Sequence, residues 1–149
     1  MPNDDIQTKI DEAINKLLTK DKILLQNDSS ERAITHKLAC YLEEHFPEWD
    51  IDCEYNRNML NVKMLQDTCR SSDKNNGSPV LPDIIIHKRM TNENYIVIEV
   101  KKTTNPETDG CDIQKLLAFR KELGYIHGLF IRFKTGCEDI KVESREWIF

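Results

Sequence analysis

Two carboxylates and a lysine interrupt the apolar residues of "LPDIIIHKRMTNENYIVIEVKK", the stretch that covers residues 81–102. Two hydrophobic runs joined by a polar segment are typical of a β-hairpin. Asp83 lies in the first run, and Glu99 and Lys101 lie in the second. Carboxylate oxygens are the ligands that hard divalent cations prefer, so these residues are the first candidates for chemistry.

The register of this hairpin decides whether the two carboxylates meet. If the turn is centred on Thr91, residues equally far from it along the two strands are partners. The predicted pairs are Asp83 with Glu99, Ile85 with Val97 and His87 with Tyr95. Opposed residues have Cβ atoms about 5 Å apart, and at an effective dielectric of about 20 two negative charges at that distance repel by roughly 3 kcal/mol. The predicted carboxylate pair therefore needs a compensating positive charge.

Side chains alternate along a strand, so Asp83, Glu99 and Lys101 are expected to share one face of the hairpin. The other face is apolar and consists of Ile84, Ile86, Ile96, Ile98 and Val100. A Mg²⁺ ion would compensate the two carboxylates, and it typically keeps waters, one of which Lys101 is placed to hold or activate. The alternative is a strand end that emerges into solvent, where Glu and Lys are ordinary residues. The hairpin alone leaves both interpretations open.

The hairpin has to be supported by further elements, and the hydrophobic periodicity predicts them. A first helix carries its apolar residues on one face: Ile6, Ile10, Ala13, Ile14, Leu17 and Leu18. A second helix is predicted from about residue 30 to residue 46, with a buried stripe of Ile34, Leu38, Tyr41, Leu42 and His45. "WDIDCEY", at residues 49–55, alternates as a half-exposed outer strand does.

After the hairpin, a third helix is predicted over residues 109–123, with Gly124 placed to end it. Its apolar side is expected to consist of Ile113, Leu116, Leu117, Arg120 and Leu123. "YIHGLFIRFK" and the terminal "EWIF" follow as strands. Residues 66–79 are polar and rich in turn formers, so they are interpreted as a flexible loop within one domain that spans residues 1–149.

Composition limits the functions that remain. The chain has 21 basic and 26 acidic residues and a net charge of −5, which argues against a protein that coats nucleic acid nonspecifically. Bases concentrate in residues 113–134, where an anionic partner is expected to bind. The cysteines form no CxxC pair, which favours reduced structural thiols over a zinc site. Since neither a membrane span nor a secretory signal is visible, we expect a cytoplasmic protein without a membrane partner.

The motif and its surroundings match a known family. Pro82-Asp83, fifteen intervening residues and Glu99-Val100-Lys101 fit the pattern of the PD-(D/E)xK nucleases. The predicted order over residues 30–134, a helix, a three-stranded meander, a helix and a strand, is also the order of that family's core. The chain therefore resembles small stand-alone bacterial members of the PD-(D/E)xK superfamily. The resemblance implies an α/β, restriction-endonuclease-like fold: a central mixed sheet of about four strands flanked by helices, with an extra N-terminal helix.

The resemblance also implies an activity, Mg²⁺-dependent hydrolysis of phosphodiester bonds in nucleic acid, with DNA favoured over RNA and Mn²⁺ able to replace Mg²⁺. Asp83 and Glu99 would bind the metal, and the Val100 carbonyl would be a further ligand. Lys101 would lie near the attacking water. Because one small acidic domain offers little surface for substrate, we expect a homodimer or a protein partner.

Members of this family often carry two further side chains at the site. A Glu on the helix before the meander corresponds to Glu31, which would join the metal ligands and the catalytic residues. The alternative for Glu31 is a capping box over residues 28–31. A Lys, Arg or Gln on the helix after the meander corresponds to Lys115 or Gln114, which would bind substrate. Lys115 is preferred, although a solvated basic face would explain either residue.

Two residues beside the motif are further candidates for contact with substrate. His87 shares the predicted face of Asp83, and Lys102 is expected on the opposite face, in a salt bridge or in contact with phosphate. The competing class of function is a catalytically silent binding or assembly module with the same fold. The intact set of Asp83, Glu99 and Lys101 disfavours that class, because loss of a motif residue would be its simplest sign.

Overall fold

The computed structural model describes residues 2–54 and 81–148. The helices are α1 (Asp4–Lys20), α2 (Lys22–Gln26), α3 (Glu31–His45) and α4 (Gly110–Leu123), and the strands are β1 (Asp50–Cys53), β2 (Ile84–His87), β3 (Asn94–Lys102), β4 (His127–Lys134) and β5 (Lys141–Ile148). The loop predicted at residues 66–79 lies outside the described residues, as does Tyr55 at the end of the predicted outer strand. None of the described helices is long and apolar enough to cross a membrane.

The described strands form one open mixed sheet in the order β1-β2-β3-β4-β5. β1, β2 and β3 pair antiparallel as a meander, β4 pairs parallel to β3, and β5 pairs antiparallel to β4. Parallel neighbours need a crossover connection, which contains α4. The predicted α/β class is confirmed, and β1 is an outer strand as expected. β5 makes the sheet wider than predicted, because it begins at Lys141, before the expected terminal strand.

Helices α1 and α3 cover one face of the sheet. The apolar cluster on this face joins residues of both helices to residues of the strands, among them Ile10, Leu17, Leu38, Leu42, Ile84, Ile86, Ile98, Ile131 and Phe133. The predicted apolar face of α1 is confirmed except at Leu18, which is only partly buried. Asn3 caps this helix, since its side chain accepts a hydrogen bond from the Ile6 N–H (2.9 Å).

Helix α4 covers the other face, and the side that it presents agrees in part with the predicted one. Leu116 is buried in a cluster with Val97 of the sheet, and Ile113 and Leu123 pack against this cluster as predicted. The prediction is wrong for Leu117, which is 42% exposed, and it omits Phe119, which is buried in the cluster. Apolar residues occur on both sides of this helix, so periodicity alone does not choose between them. Gly124 ends α4 in the left-handed conformation (φ 73°), as predicted.

The hairpin register is confirmed over its apolar part and fails near the turn. Ile85 pairs with Val97, as predicted. His87 was expected opposite Tyr95, but an irregularity in the pairing places Asn94 opposite His87 instead. A bulge of this kind adds a residue to one strand and shifts every later pair, which simple alternation cannot anticipate.

The cysteines also depart from expectation. Cys40, Cys53 and Cys137 carry free thiols, whereas Cys111 is disulfide-bonded. The prediction of reduced thiols is thus wrong for Cys111.

The observed side of α4 predicts a difference between two substitutions. Phe119→Ala should lower the free energy of unfolding by about 3–5 kcal/mol, the usual cost of truncating a buried aromatic side chain. Leu117→Ala is the control and should change it by about 0.5 kcal/mol or less, as surface substitutions usually do. Urea unfolding measures both values. A larger loss for Leu117→Ala than for Phe119→Ala would show that Leu117 is the buried residue of the two.

Candidate functional site

Asp83 and Glu99 meet where β2 begins and β3 approaches its end. The Asp83 N–H donates a hydrogen bond to Glu99 Oε2 (3.0 Å), and the Val100 N–H donates one to Asp83 Oδ2 (2.8 Å). Each carboxylate is thus held by the backbone of the other strand. This reciprocal contact agrees with the predicted pairing of the two residues, and it fixes their side chains side by side.

Burial makes this pair of carboxylates electrostatically unfavourable. Glu99 is only 2% exposed. Desolvation raises the pKa of Glu99 to about 8, with a contribution from the negative charge of Asp83. Desolvation likewise raises the pKa of Asp83 to about 6, and the charges of Asp112 and Glu31 act in the same direction. Removal from water is thus the main reason why the charged forms of both carboxyls are disfavoured, and neighbouring negative charges add to it.

Lys115 supplies a positive charge that partly offsets the effect of burial on the two carboxyls. Its Nζ lies 3.1 Å from Glu99 Oε1, and the side chain is mostly buried. Desolvation acts to lower the pKa of Lys115, but Glu99 and Asp83 outweigh it and raise the pKa above its ordinary value. Lys115 was predicted to contact substrate; the structure brings it directly to the acidic pair, while Gln114 beside it is exposed.

Lys101 lies on the same strand face as Glu99, and its ammonium is held by the start of α4. It is 3% exposed. Its Nζ lies 2.5 Å from Asp112 Oδ2 and donates to the carbonyl of Thr108 (2.8 Å). Lys101 is thus a fixed, buried cation, and Asp112 is the residue that positions it.

The sequence analysis did not single out Asp112, although a signal for it exists. Asp112, Lys115 and Phe119 are spaced by three and four residues, so they share one side of a helix with Leu116. Once Phe119 is recognised as the buried anchor of α4, both charged residues must face the sheet. The orientation of α4 that buries Phe119 therefore also places Asp112 and Lys115 at the site.

Glu31 lies at the first position of α3 and reaches the C-terminal end of β3. Its Oε2 accepts hydrogen bonds from the Lys102 N–H (3.0 Å) and from Asn105 Nδ2 (2.9 Å). The cap of α3 is Ser30, whose hydroxyl accepts from the Ala33 N–H (3.1 Å). The capping-box alternative for Glu31 is therefore wrong. Its carboxylate points to the strand that carries Glu99.

The two remaining candidates beside the motif have structural partners. Lys102 Nζ lies 3.2 Å from Asp28 Oδ1, which is the salt bridge considered for it. His87 is 1% exposed, and its Nε2 lies 2.7 Å from Asp52 Oδ2. The structure thus buries His87 within the sheet and does not present it to a substrate.

Most bases of residues 113–134 are also held inside the fold. Lys115 pairs with Glu99, Arg120 with the carbonyls of Tyr125 and Ile148, and Arg132 with Asp109 and the carbonyl of Lys102. Lys134 forms an exposed pair with Asp139. The basic surface expected from the sequence is thus largely occupied by internal contacts.

A cavity of about 510 Å³ opens beside the site. Glu31 and Asp83 line it together with Arg32, Thr35, His36, Cys53 and Glu54. It gives Asp83 access to a ligand from the side of α3 and the end of β1.

Comparison of the chain with protein-family models, with curated proteins and with solved structures finds no match.

The donor chemistry of the site fits Mg²⁺, although its present arrangement favours Lys115. Asp83 and Glu99 offer the hard oxygen ligands that Mg²⁺ prefers, and a bound cation would favour their charged forms, which burial disfavours. Among residues 2–54 and 81–148, however, no three His, Cys, Asp or Glu side chains form a group arranged to hold a metal ion. Both Glu99 oxygens already have partners, so Lys115 would have to yield one of them.

The raised pKa of Glu99 predicts how stability depends on pH without metal. A carboxyl with a higher pKa in the folded state binds its proton more tightly when folded. Its stabilising contribution is complete below the ordinary pKa of 4.5 and is lost as the pH rises through about 8. The corresponding loss for Asp83 ends near its pKa of about 6. Between about pH 6 and pH 8.5 the wild type should therefore lose stability mainly through Glu99.

Glu99→Gln should flatten this part of the profile, because the amide does not titrate. Urea unfolding in the presence of EDTA measures the slope, which is informative even if the variant is less stable at every pH. Asp139→Asn, an exposed control, should keep the wild-type slope. Equal slopes for the wild type and Glu99→Gln would mean that Glu99 has an ordinary pKa.

Proposed function

We propose that this chain is a Mg²⁺-dependent nuclease of the PD-(D/E)xK type, with DNA favoured over RNA as substrate. The observation that carries the proposal is the reciprocal pairing of Glu99, a buried carboxylate on β3, with Asp83, a half-buried carboxylate directly before β2. A stable fold has no need of such a pair, and its pKa values are raised as those of functional groups often are.

The order of elements supports the same proposal. Helix α3, the antiparallel meander β1-β2-β3, helix α4 and the strand β4, parallel to β3, follow one another along the chain. This is the order that the resemblance implies for a restriction-endonuclease-like core. In this proposal α1, α2 and β5 are additions to that core.

The proposed roles follow from the contacts of each side chain. Mg²⁺, when bound by Asp83 and Glu99, would act as a Lewis acid and lower the pKa of a bound water. Lys101, fixed by Asp112, is a preorganised positive charge that stabilises negative charge developing on the phosphate. Glu31 is the additional acid that the resemblance implies on the helix before the meander, and its carboxylate is held at the end of β3.

The alternative is a catalytically silent binding or assembly module, and one observation favours it. The charged side chains of the motif and of α4 already form ion pairs with one another: Lys101 pairs with Asp112, and Lys115 pairs with Glu99. A closed network of this kind stabilises a fold without any reaction. The two proposals differ in whether the network opens to a metal ion and a substrate.

Incubation with labelled single- and double-stranded DNA and RNA, with Mg²⁺, with Mn²⁺ or with EDTA, tests the proposed function. Metal-dependent cleavage that Asp83→Asn abolishes is the expected result. A wild type that cuts none of these substrates with either metal would favour the silent module.

Metal binding should also appear as a change in stability. Mg²⁺ or Mn²⁺ should raise the thermal midpoint of the wild type by mass action, because the ion binds the folded carboxylate pair and not the unfolded chain. Asp83→Asn should lose most of this gain, since it removes one of the two anionic ligands. Asp50→Asn, on the outer strand β1, is the matched control and should keep it. An equal shift in Asp83→Asn and the wild type would place the metal elsewhere.

Lys101 should matter for the reaction more than for metal affinity. An ammonium cannot bind a cation, so Lys101→Ala should keep the metal-induced rise in thermal midpoint. It should lower cleavage by about a hundredfold or more, as the loss of a group that stabilises the transition state commonly does. Lys121→Ala, an exposed lysine on α4, is the control and should cleave normally. Equal cleavage by the two variants would argue against a catalytic Lys101.

A further inference from the structure

The cavity beside Asp83 is acidic, with a cation at its rim. Glu31, Glu54 and Asp83 contribute carboxylates, and among the described lining residues Arg32 contributes the guanidinium. A nucleic acid that approaches Asp83 through this cavity would therefore meet Arg32. The bases of residues 113–134 do not compete for this role, because most of them are held by internal partners.

Arg32 is paired with Glu54 in a geometry that a phosphate could reproduce. Its Nη2 lies 2.9 Å from Glu54 Oε1, and its Nε donates to Oε2 (3.3 Å). A guanidinium binds carboxylate and phosphate through the same two-point arrangement. The Arg32 side chain is 79% exposed and that of Glu54 is 40% exposed, so water already competes for the pair. Exposed ion pairs of this kind contribute little to stability, which makes the exchange of partners inexpensive.

The backbone places Glu54 beside the proposed active site. Its N–H donates to the carbonyls of Pro82 (3.0 Å) and Asp83 (3.3 Å), directly after the end of β1. Glu54 also adopts a left-handed conformation (φ 52°), which is uncommon for a residue other than glycine. The backbone of Arg32 is held by α3, because Arg32 follows Glu31 in the first turn of this helix. The ion pair thus joins the start of α3 to the residue that follows β1, and both of its residues line the cavity that Asp83 also lines.

We infer that Arg32 binds a backbone phosphate of the substrate and that Glu54 is its internal competitor. A polyanion displaces the Glu54 carboxylate from Arg32 and is thereby held next to Asp83. The carboxylates of the cavity repel a polyanion that does not engage Arg32. This inference rests on the proposed nuclease function and identifies the residue that positions the substrate for it.

Two substitutions that break the same ion pair distinguish this role from a structural one. Arg32→Gln should weaken binding of a fluorescent single-stranded DNA oligonucleotide, and it should reduce the salt dependence of log K by about 0.7 on a log–log plot, the loss of one phosphate contact. Glu54→Gln should strengthen binding severalfold, because it frees Arg32 and removes a negative charge. Lys121→Gln, on α4, is the control and should leave the affinity close to that of the wild type. Fluorescence anisotropy in EDTA at several salt concentrations measures all four proteins.

The possible outcomes distinguish the role of Arg32 from the proposed nuclease function. Opposite effects of Arg32→Gln and Glu54→Gln, with thermal midpoints close to that of the wild type, would support the inference. If the ion pair were only structural, both variants would change binding in the same direction and lose the same stability. A wild type that cleaves DNA while Arg32→Gln binds and cleaves equally well would overturn the role of Arg32 alone. A wild type that neither binds nor cleaves any nucleic acid would overturn the nuclease proposal and, with it, this inference.

Discussion

The burial of Glu99 is the constraint on which the rest of the site depends. A carboxylate that is removed from water has to be neutralised, paired or protonated, because an isolated buried charge is too costly. Lys115 is the partner, and it reaches Glu99 only because α4 turns the side that carries Phe119 towards the sheet. The same orientation brings Asp112 to Lys101. The contact between Lys115 and Glu99 and the contact between Asp112 and Lys101 thus depend on the same orientation of α4.

The charges of this network do not balance. Asp83, Glu99 and Asp112 face Lys101 and Lys115, so the group has one negative charge more than it has positive charges. Desolvation is the main cause of the raised pKa values of Asp83 and Glu99, and neighbouring negative charges raise them further. A purely structural core has no need of this excess acid, because buried ion pairs rarely stabilise more than apolar packing does. The excess negative charge is the physical reason to propose that the site binds a cation.

The sequence predicted the parts of the site that depend on local rules. Strand alternation and the centre of the turn place Asp83 opposite Glu99, and the two residues do contact each other. Which of Leu117 and Phe119 is buried could not be predicted in this way, because both are apolar and only tertiary packing chooses between them. The predicted pairing of His87 with Tyr95 failed for a related reason, since pairing near a turn depends on the conformation of the turn itself.

Glu31 shows how a correct position can have an uncertain reason. The sequence placed this acid at the start of a helix, where either a cap or a site residue is an ordinary explanation. Ser30 is the observed cap, and the Glu31 carboxylate instead accepts a hydrogen bond from the Lys102 N–H, which joins residues 71 positions apart in the chain. Long-range hydrogen bonds of this kind leave no periodic trace in a sequence, so patterns predicted the candidate and only the fold could identify its partner.

Counting charges along the chain was misleading for a different reason. Residues 31–54 are rich in acids, but several of these acids pair with bases: Glu44 with Lys16, Asp50 and Asp52 with Arg89, and Glu54 with Arg32 of the same segment. Lys115 and Arg132 of residues 113–134 likewise pair with acids, so the contrast between the two segments is smaller in the folded chain than in the sequence. What a charged partner encounters depends instead on which pairs are exposed and easily exchanged. By that criterion Arg32, which lies in the acidic segment, is better placed to receive an anion near Asp83 than the buried bases of the basic segment are.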